Sequence, residues 1–322
     1  MIPSSQLVVT GCAGFIGSHL TERLLAEGYH VIGVDNFDPF YPRAIKERNL
    51  TAARKHPHFQ FIETDIREQG WLAQLTGPVE AVVHLAAKAG VRPSIEQPDE
   101  YISTNIAGTN NLLAWMQRTG VKKMVFASSS SVYGNNEKIP FSEADSVEQP
   151  ISPYAFTKRS CELLTHNYHY LYGMGVVNLR FFTVYGERQR PDLAIHKFVR
   201  MMAADEPIPM FGQGDTSRDY THVSDTVAGI MAALTYLDAH PATYEIINLG
   251  NQHPVTLQTL VSTLYRLMGK TPHVQHLPKQ PGDVERTYAD GTRAAALLGY
   301  RPAVDLEEGL RRFVDWYKTT PQ

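Results

Sequence analysis

The sequence predicts an α/β fold in which a Rossmann-type, doubly wound parallel sheet is joined by a smaller C-terminal lobe that is interleaved with it in sequence. Short apolar runs alternate with amphipathic stretches from residue 7 to residue 182, and the first run ends in a glycine-rich turn. The alternation lapses after Phe182, where proline-ended loops begin. A chain of 322 residues is long enough to bury a full core and to add a second lobe.

The composition favours a small-molecule partner. A formal net charge of -3 without runs of like charge gives no general attraction to nucleic acid or to a membrane surface. The two cysteines, Cys12 and Cys161, are far apart and lack C-x-x-C spacing, so we expect neither a disulfide framework nor a metal site. The N-terminus lacks the pattern of a signal peptide, and no apolar run has the length of a membrane span. We therefore expect a cytoplasmic protein.

The first predicted strand, Leu7 to Thr10, leads directly into a G-x-x-G-x-x-G turn formed by Gly11, Gly14 and Gly17, which opens an amphipathic helix. Glycines allow positive φ angles and close approach of a pyrophosphate to the N–H groups of the helix N-terminus. The next predicted strand leads to Asp35, 18 residues after Gly17 and near the ~20 expected for the carboxylate that binds an adenosine ribose. Because Asp35 would repel a 2′-phosphate, NAD is favoured over NADP.

Further βα units extend the predicted sheet. Strands are predicted at residues 59–63, 81–85, 123–128 and 176–182, with a helix over 99–119. Ligands of such sheets bind at the carboxyl ends of the strands, where Asp65, Ala86, Ala87 and Ser128 fall. A cofactor site is expected along this edge.

The predicted domains are interleaved in sequence. Residues 1–182 are expected to form the NAD-binding domain, and residues 183–322 mainly the lobe that binds the substrate. A helix over 224–238 and a strand over 244–250 are predicted to return to the main sheet. Residues 207–214, rich in glycine and proline, are interpreted as a connection.

A proton-transfer pair is predicted on the helix that begins at Pro153, with Ser152 suited to its N-cap. Tyr154 and Lys158 are four residues apart, so they share one helical face. A free tyrosine titrates near ~10, and a neighbouring ammonium and a positively charged cofactor favour its phenolate, which can act as a general base. Such pairs also occur by chance on solvated helices, but the glycine turn and the serine run at 128–131 favour the catalytic interpretation.

Ser129 stands 25 residues before Tyr154. A hydroxyl delivered there could share the substrate oxygen with the phenol. The spacing alone agrees equally well with a polar loop.

These motifs, together with Arg218-Asp219-Tyr220, make the chain similar to the extended short-chain dehydrogenase/reductase family along nearly its whole length, and within it to the nucleotide-sugar 4-epimerases. The resemblance implies that Tyr154 is the base, that Lys158 binds the nicotinamide ribose and that Ser129 is the helper hydroxyl. It also implies a tightly bound NAD, regenerated in each cycle, and a UDP-sugar substrate, with Arg218 and Asp283 holding the UDP. The cofactor positions that it implies are Phe15, Ile16, Asn36, Asp65, Ile66, Leu85, Ala86, Lys88, Asn105 and Ser128.

The residues that follow Ser129 separate the activities of the family. Dehydratases of the family place an Asp-Glu pair where this chain has Ser130 and Ser131, and its decarboxylases place a Glu where Ser131 stands. Serine has no pKa suited to those tasks, whereas epimerisation through a transient 4-keto sugar needs neither carboxylate. A non-catalytic NAD-binding regulator of the same fold remains an alternative, but it would have no need for Ser129, Tyr154 and Lys158 together.

The sugar is predicted to be a uronate, so that UDP-glucuronate and UDP-galacturonate interconvert. Thr183 stands where many hexose epimerases carry Asn, and the segment around Arg92 resembles the uronate epimerases. Arg190 matches the position credited with meeting the substrate carboxylate; alternatively, it contacts phosphate or solvent. Ser130 is a further predicted substrate contact. UDP-glucose and UDP-N-acetylhexosamine are the alternative substrates.

The apolar stripes of the helices at 99–119 and 154–172 also suggest a homodimer. The same stripes would suit packing on the sheet.

Overall fold

The computed structural model describes residues 6–75, 77–278 and 285–320, so the predicted substrate residue Asp283 lies outside the described residues. Its strands are β1 (Gln6–Thr10), β2 (His30–Asp35), β3 (Phe59–Glu63), β4 (Val79–His84), β5 (Lys123–Ser129), β6 (Gly175–Phe181), β7 (Thr183–Tyr185), β8 (Ile208–Phe211), β9 (Ser217–His222), β10 (Tyr244–Leu249), β11 (Pro254–Thr256) and β12 (Val274–Leu277). Its α-helices are α1 (Phe15–Ala26), α2 (Arg43–Asn49), α3 (Val91–Glu96), α4 (Pro98–Tyr101), α5 (Gly108–Thr119), α6 (Pro153–Tyr172), α7 (Ala194–Ala203), α8 (Val223–Ala239), α9 (Leu257–Met268), α10 (Thr292–Leu298) and α11 (Leu306–Thr319).

The main sheet has seven strands in the order β10-β6-β5-β4-β1-β2-β3, and each neighbouring pair is parallel. The predicted Rossmann-type fold is therefore confirmed. The direction of winding reverses between β1 and β4, and this reversal opens a crevice at the carboxyl ends of the strands. Strand β10, the last of the sheet in sequence, pairs with β6.

Helices cover both faces of this sheet. On one face, Leu20 and Leu24 of α1 pack with Ile230 and Leu234 of α8. On the other face, Leu112 and Met116 of α5 pack into a cluster that also contains Cys161 of α6. All seven residues of β6 are buried, as expected for a strand covered on both sides.

The helix predicted over 99–119 is not regular. Between α4 and α5, residues Ile102–Ala107 form a π-helical segment. The carbonyl of Asn105 there accepts hydrogen bonds from Thr109 Oγ1 at 2.5 Å and Cys161 Sγ at 3.2 Å. Gly108 follows against Ile66, whose side chain would lie 2.6 Å from a Cβ at that position. The π-helical turn, which is wider than an α-helical turn, thus occurs where the helix packs closely on α6 and on the loop after β3.

The second lobe has its own core, which includes Tyr185, Phe198, Leu260, Leu264 and Phe313. Two small sheets flank it, one ordered β11-β9-β7 and one formed by β12 and β8. The prediction of a plain connection over 207–214 was wrong, because β8 lies within it. Pro209 is tolerated there because β8 pairs on only one side.

Among the described helices, none combines the length and the apolar character needed to cross a bilayer.

Candidate active site

A cavity of about 790 Å³ runs along the carboxyl ends of the parallel strands and reaches the second lobe. Residues from both lobes line it, among them Gly11, Asp35, Ser129, Arg190 and Arg218. It therefore brings together most of the residues that the sequence analysis selected.

The glycine turn packs too tightly for larger side chains. Gly11 has φ +75°, and a Cβ on Gly17 would lie 2.0 Å from the carbonyl oxygen of Gly11. Helix α1 begins at Phe15 without a side-chain cap and without an acidic residue in its first turn. Its N-terminal N–H groups are therefore suited to an anion such as a pyrophosphate.

Asp35 is held rigidly at the end of β2. Its Oδ1 accepts a hydrogen bond from Phe37 N at 2.8 Å, and its Oδ2 accepts one from Ala13 N at 3.1 Å. Burial raises the pKa of Asp35, while Lys46 and the two backbone donors oppose that rise. A fixed carboxylate of this kind suits the hydroxyls of a ribose.

The next part of the cavity wall is formed by the loop after β4. Lys88 Nζ pairs with Asp38 Oδ2 at 3.1 Å, so this loop is joined to the one that follows β2. Asn105 holds the backbone of Lys88 on both sides, since its Oδ1 accepts from Lys88 N at 2.8 Å and its Nδ2 donates to Lys88 O at 3.0 Å. Asn105 itself is buried and is not part of the cavity lining, so the structure places it behind the predicted cofactor residues.

Helix α6 presents the predicted proton-transfer pair to the cavity. Ser152 Oγ caps the helix by accepting a hydrogen bond from Ala155 N at 3.1 Å, which confirms the predicted N-cap. The buried Lys158 donates from Nζ to the carbonyl of Ala127 at 2.7 Å. Tyr154 is half-buried, and its side chain and that of Lys158 line the same cavity.

Ser129 faces these two residues from the end of β5. Its Oγ accepts hydrogen bonds from Ser131 N at 3.2 Å and from Ser131 Oγ at 2.9 Å. Because Ser129 Oγ accepts both of these bonds, its own hydroxyl proton remains available for a hydrogen bond to a ligand. Ser130 is not part of the cavity lining, so the structure places this predicted substrate residue beside the site.

A buried carboxylate that the sequence analysis did not select supports this arrangement. Glu162, one turn after Lys158, accepts hydrogen bonds at Oε1 from Ser128 Oγ at 2.6 Å and from Arg180 Nε at 2.8 Å. Its Oε2 accepts from Arg180 Nη2 at 2.8 Å. The end of β5, the middle of α6 and β6 are thereby joined through one side chain.

The second lobe supplies cations and hydroxyls. Thr183 and Arg218 of this lobe line the cavity, and Arg92 of α3, in the main domain, lines it as well. Arg190 makes a bidentate ion pair with Asp192, in which Nε donates to Oδ1 at 3.0 Å and Nη2 donates to Oδ2 at 2.8 Å. Its guanidinium also lies over the ring of Phe40, 5.0 Å from the centroid.

The loop that carries Arg190 is anchored to the helix of the glycine turn. His19 of α1 donates from Nε2 to the carbonyl of Glu187 at 2.9 Å, and Arg188 pairs with Glu22 of α1 at 2.9 Å. His222 Nε2 lies 3.2 Å from Glu187 Oε2. Burial opposes ionisation of Glu187, but the hydrogen bonds from His222 and from its own backbone N–H lower its pKa to about 2.

Comparison with known proteins gives relatives over nearly the whole chain. The family model described as GDP-mannose 4,6 dehydratase matches residues 8–313. A UDP-glucuronate 4-epimerase of Thermodesulfobacterium geofontis is 43% identical over 314 residues, which are 97% of this chain and 95% of the relative.

Two solved structures have the same fold. The UDP-glucuronic acid 4-epimerase from Bacillus cereus, in complex with UDP-glucuronic acid and NAD, has a TM-score of 0.90 at 38% identity and covers 97% of this chain and 99% of its own. The UDP-glucose 4-epimerase of Thermotoga maritima, with UDP-glucose, has a TM-score of 0.88 at 33% identity and covers 97% and 98%. Both similarities extend over nearly the whole chain.

We expect two histidines, the partly buried His19 beneath the anchored loop and the buried His84 at the end of β4, to make stability depend on pH. Burial and the nearby Arg188 lower the pKa of His19 from 6.5 to about 4, and burial lowers that of His84 to about 3. Between pH 6.5 and 4.5 the unfolded chain therefore takes up protons that the folded chain refuses, and stability falls with the pH. Each histidine contributes roughly 1.4 kcal/mol per pH unit at most.

The measurement is the unfolding free energy in urea at several pH values between 6.5 and 4.5. His19→Gln keeps a donor for the Glu187 carbonyl and cannot titrate, so its dependence on pH should be shallower by about one proton. His273→Gln, at an exposed position, is the matched control. A His19→Gln slope equal to that of the parent would contradict the assignment.

Proposed function

The chain belongs to the extended short-chain dehydrogenase/reductase family, and on that premise we propose that it is an NAD-dependent UDP-glucuronate 4-epimerase. The observation that carries the proposal is that Tyr154 and Arg190 line one cavity, one beside Lys158 and the other on the second lobe. A proton acceptor and a carboxylate partner are thus available to a single sugar.

The residues present fit NAD. The uncapped N-terminus of α1 suits a pyrophosphate, the fixed carboxylate of Asp35 suits a ribose, and Lys158 is held beside Tyr154. When bound, NAD supplies the hydride acceptor and donor of the reaction. The residues that we propose to hold it are Gly11, Gly14, Phe15, Ile16, Gly17, Asp35, Asn36, Asp65, Ile66, Leu85, Ala86, Ala87, Lys88, Ser128, Tyr154 and Lys158, which all line the cavity, with Asn105 acting through the backbone of Lys88.

In this proposal, residues 1–182 with 224–238 and 244–250 form the NAD-binding domain, and the rest of 183–322 binds the UDP-sugar. The separate cores of the two lobes support the division, although Ala294 and Tyr300 of the C-terminal part pack in the core of the first domain. Arg218 is proposed to meet the diphosphate, and Asp283 the ribose of the UDP.

Tyr154 is proposed to take the proton of the sugar 4-hydroxyl and to return it when the turned 4-keto sugar is reduced. Lys158 lines the cavity one helical turn after Tyr154, and the Ala127 carbonyl fixes its ammonium. Ser129 donates its proton to the same sugar oxygen. Ser131 donates to Ser129 and so has a supporting role, without the acid or base that dehydration would require.

Arg190 is proposed to bind the sugar carboxylate, with Thr183 and Arg92 nearby in the cavity wall. Oxidation at C4 turns a uronate into a β-keto acid, which loses carbon dioxide readily unless its carboxylate is held. A bidentate guanidinium contact provides that restraint.

We also propose that the protein is a cytoplasmic homodimer. Phe156, Leu163 and Tyr170 of α6 are exposed and seven residues apart, so they form one apolar stripe on the side away from the buried Lys158 and Glu162. Ile95 of the adjacent α3 extends it. The two cysteines are buried and unpaired, which suits a reducing compartment.

Tyr154→Phe should lower kcat by ~10²–10⁴-fold while leaving NAD bound, because it removes the proton acceptor and keeps the ring. Ser129→Ala should lower kcat less. Turnover is followed by NMR with UDP-glucuronate, and the cofactor is measured in the denatured, purified protein. Near-parental turnover of Tyr154→Phe would refute its role, and parent protein without nicotinamide nucleotide would argue against a closed redox cycle.

The preference of the parent for UDP-glucuronate over UDP-glucose, as a ratio of kcat/KM values, should be on the order of 10². Arg190→Ala should reduce this ratio to near 1, because it removes the partner of the carboxylate. Arg118→Ala, at an exposed position near the end of α5 and outside the cavity lining, is the control. Equal use of both sugars by the parent would overturn the uronate assignment, and an Arg190→Ala variant with full preference would overturn the role of Arg190.

Leu163→Glu should convert the dimer to a monomer, because it places a charge in the middle of the apolar stripe. Light scattering after size exclusion measures the mass. Thr235→Glu adds the same charge to an exposed position of α8 and should leave the mass unchanged. A monomeric parent would refute the dimer, and a dimeric Leu163→Glu would refute this interface.

A further inference from the structure

Asp192 occupies only one side of the Arg190 guanidinium. The bonds from Nε to Oδ1 and from Nη2 to Oδ2 use the edge that contains Nε. Guanidinium has a second edge, formed by Nη1 and Nη2, that can also receive a carboxylate in a bidentate manner. Within the described residues, the structure gives no hydrogen bond from Nη1 of Arg190.

The guanidinium is restrained in two ways. Asp192 fixes its rotation within the plane, and the ring of Phe40 lies against its face. The arginine side chain is 17% exposed and that of Asp192 is 37% exposed, so the pair lies at the wall of the cavity. A long, flexible side chain is thereby ordered without using its second edge.

We propose that Asp192 is a positioning residue for uronate specificity, which holds Arg190 so that its Nη1/Nη2 edge meets the carboxylate of a UDP-uronate. The inference rests on the proposed function. Two residues then determine the preference between sugars: Arg190 binds the carboxylate, and Asp192 fixes the orientation of Arg190.

The ion pair between Arg190 and Asp192 also affects why a neutral UDP-sugar would bind less well than a UDP-uronate. An isolated buried guanidinium would be left without a partner when UDP-glucose binds, but Arg190 keeps Asp192. The preference for a uronate must then come from the added bidentate contact, and its size depends on how well Arg190 is oriented beforehand.

Two opposite effects are expected when the charge of Asp192 is removed. The pair of residues would change from net neutral to net positive, which attracts any carboxylate, but Arg190 would lose its fixed orientation. Asp192 could therefore be an orienting group or a competitor of the substrate, and the two roles change the sugar preference in opposite directions. Both existing restraints, the bidentate pair and the contact with Phe40, favour orientation.

The test compares Asp192→Asn, Asp192→Glu and the parent holoenzyme in kcat/KM for UDP-glucuronate and for UDP-glucose. Asp192→Asn should lower the uronate preference by roughly 3- to 10-fold, the value of one ordered long side chain. The loss should appear mainly in KM for UDP-glucuronate. Asp192→Glu keeps the carboxylate and should restore part of the preference.

Asp238→Asn is the matched control, since Asp238 pairs with Lys123 on the surface and lies outside the cavity lining. A merely structural loss would lower the rates with both sugars alike and leave their ratio unchanged, which would refute the inference. A ratio that rises in Asp192→Asn would identify Asp192 as a competitor and also refute it. If the parent itself shows no preference for the uronate, the proposed substrate fails together with this inference, whereas a parent with a clear preference that Asp192→Asn retains defeats the inference alone.

Discussion

The arrangement of the candidate active site depends on the buried carboxylate of Glu162. Ser128, Arg180 and Arg159 all donate to it, so it connects β5, β6 and α6 at the level where Lys158 enters the cavity. Loss of one partner from a buried ion pair of this kind costs about 3–5 kcal/mol, because the other charge stays buried. The position of α6 relative to the end of β5 therefore follows from a charge requirement as well as from apolar packing.

This constraint explains how one helix serves two purposes. Lys158 and Glu162 face the sheet, and Tyr154 lies on the same side two turns before Glu162, where it reaches the cavity. The opposite side carries the exposed stripe that contains Leu163. A fixed rotation of α6 about its axis thus sets both the position of the tyrosine and the surface available to a second copy of the chain.

The sequence was sufficient for the parallel sheet, for the position of the glycine turn and for placing Tyr154 and Lys158 on one helix, because each depends on local spacing. Contacts between distant residues were not predictable in this way. The ion pair of Glu162 with Arg180 joins a helix to a strand that is distant in sequence. The role of Asn105, which holds the backbone of Lys88, depends on a π-helical segment that the sequence did not predict. Strand β8 was missed because Pro209 argues against a strand unless the position is known to lie at an edge.

A different restraint acts at the sugar. In a β-keto acid, loss of carbon dioxide requires the breaking bond, from the ring carbon to the carboxylate, to align with the π orbitals of the ketone, so holding the carboxylate in place can keep this bond out of alignment during epimerisation. Arg190 is suited to hold the carboxylate there, since Asp192 and Phe40 limit the movement of its own side chain. The loop that carries Arg190 is tied in turn to α1 by His19 and Arg188. The group proposed to hold the carboxylate is therefore fixed to the same helix whose N-terminus suits the pyrophosphate, and the proposed cofactor and sugar sites share one rigid support.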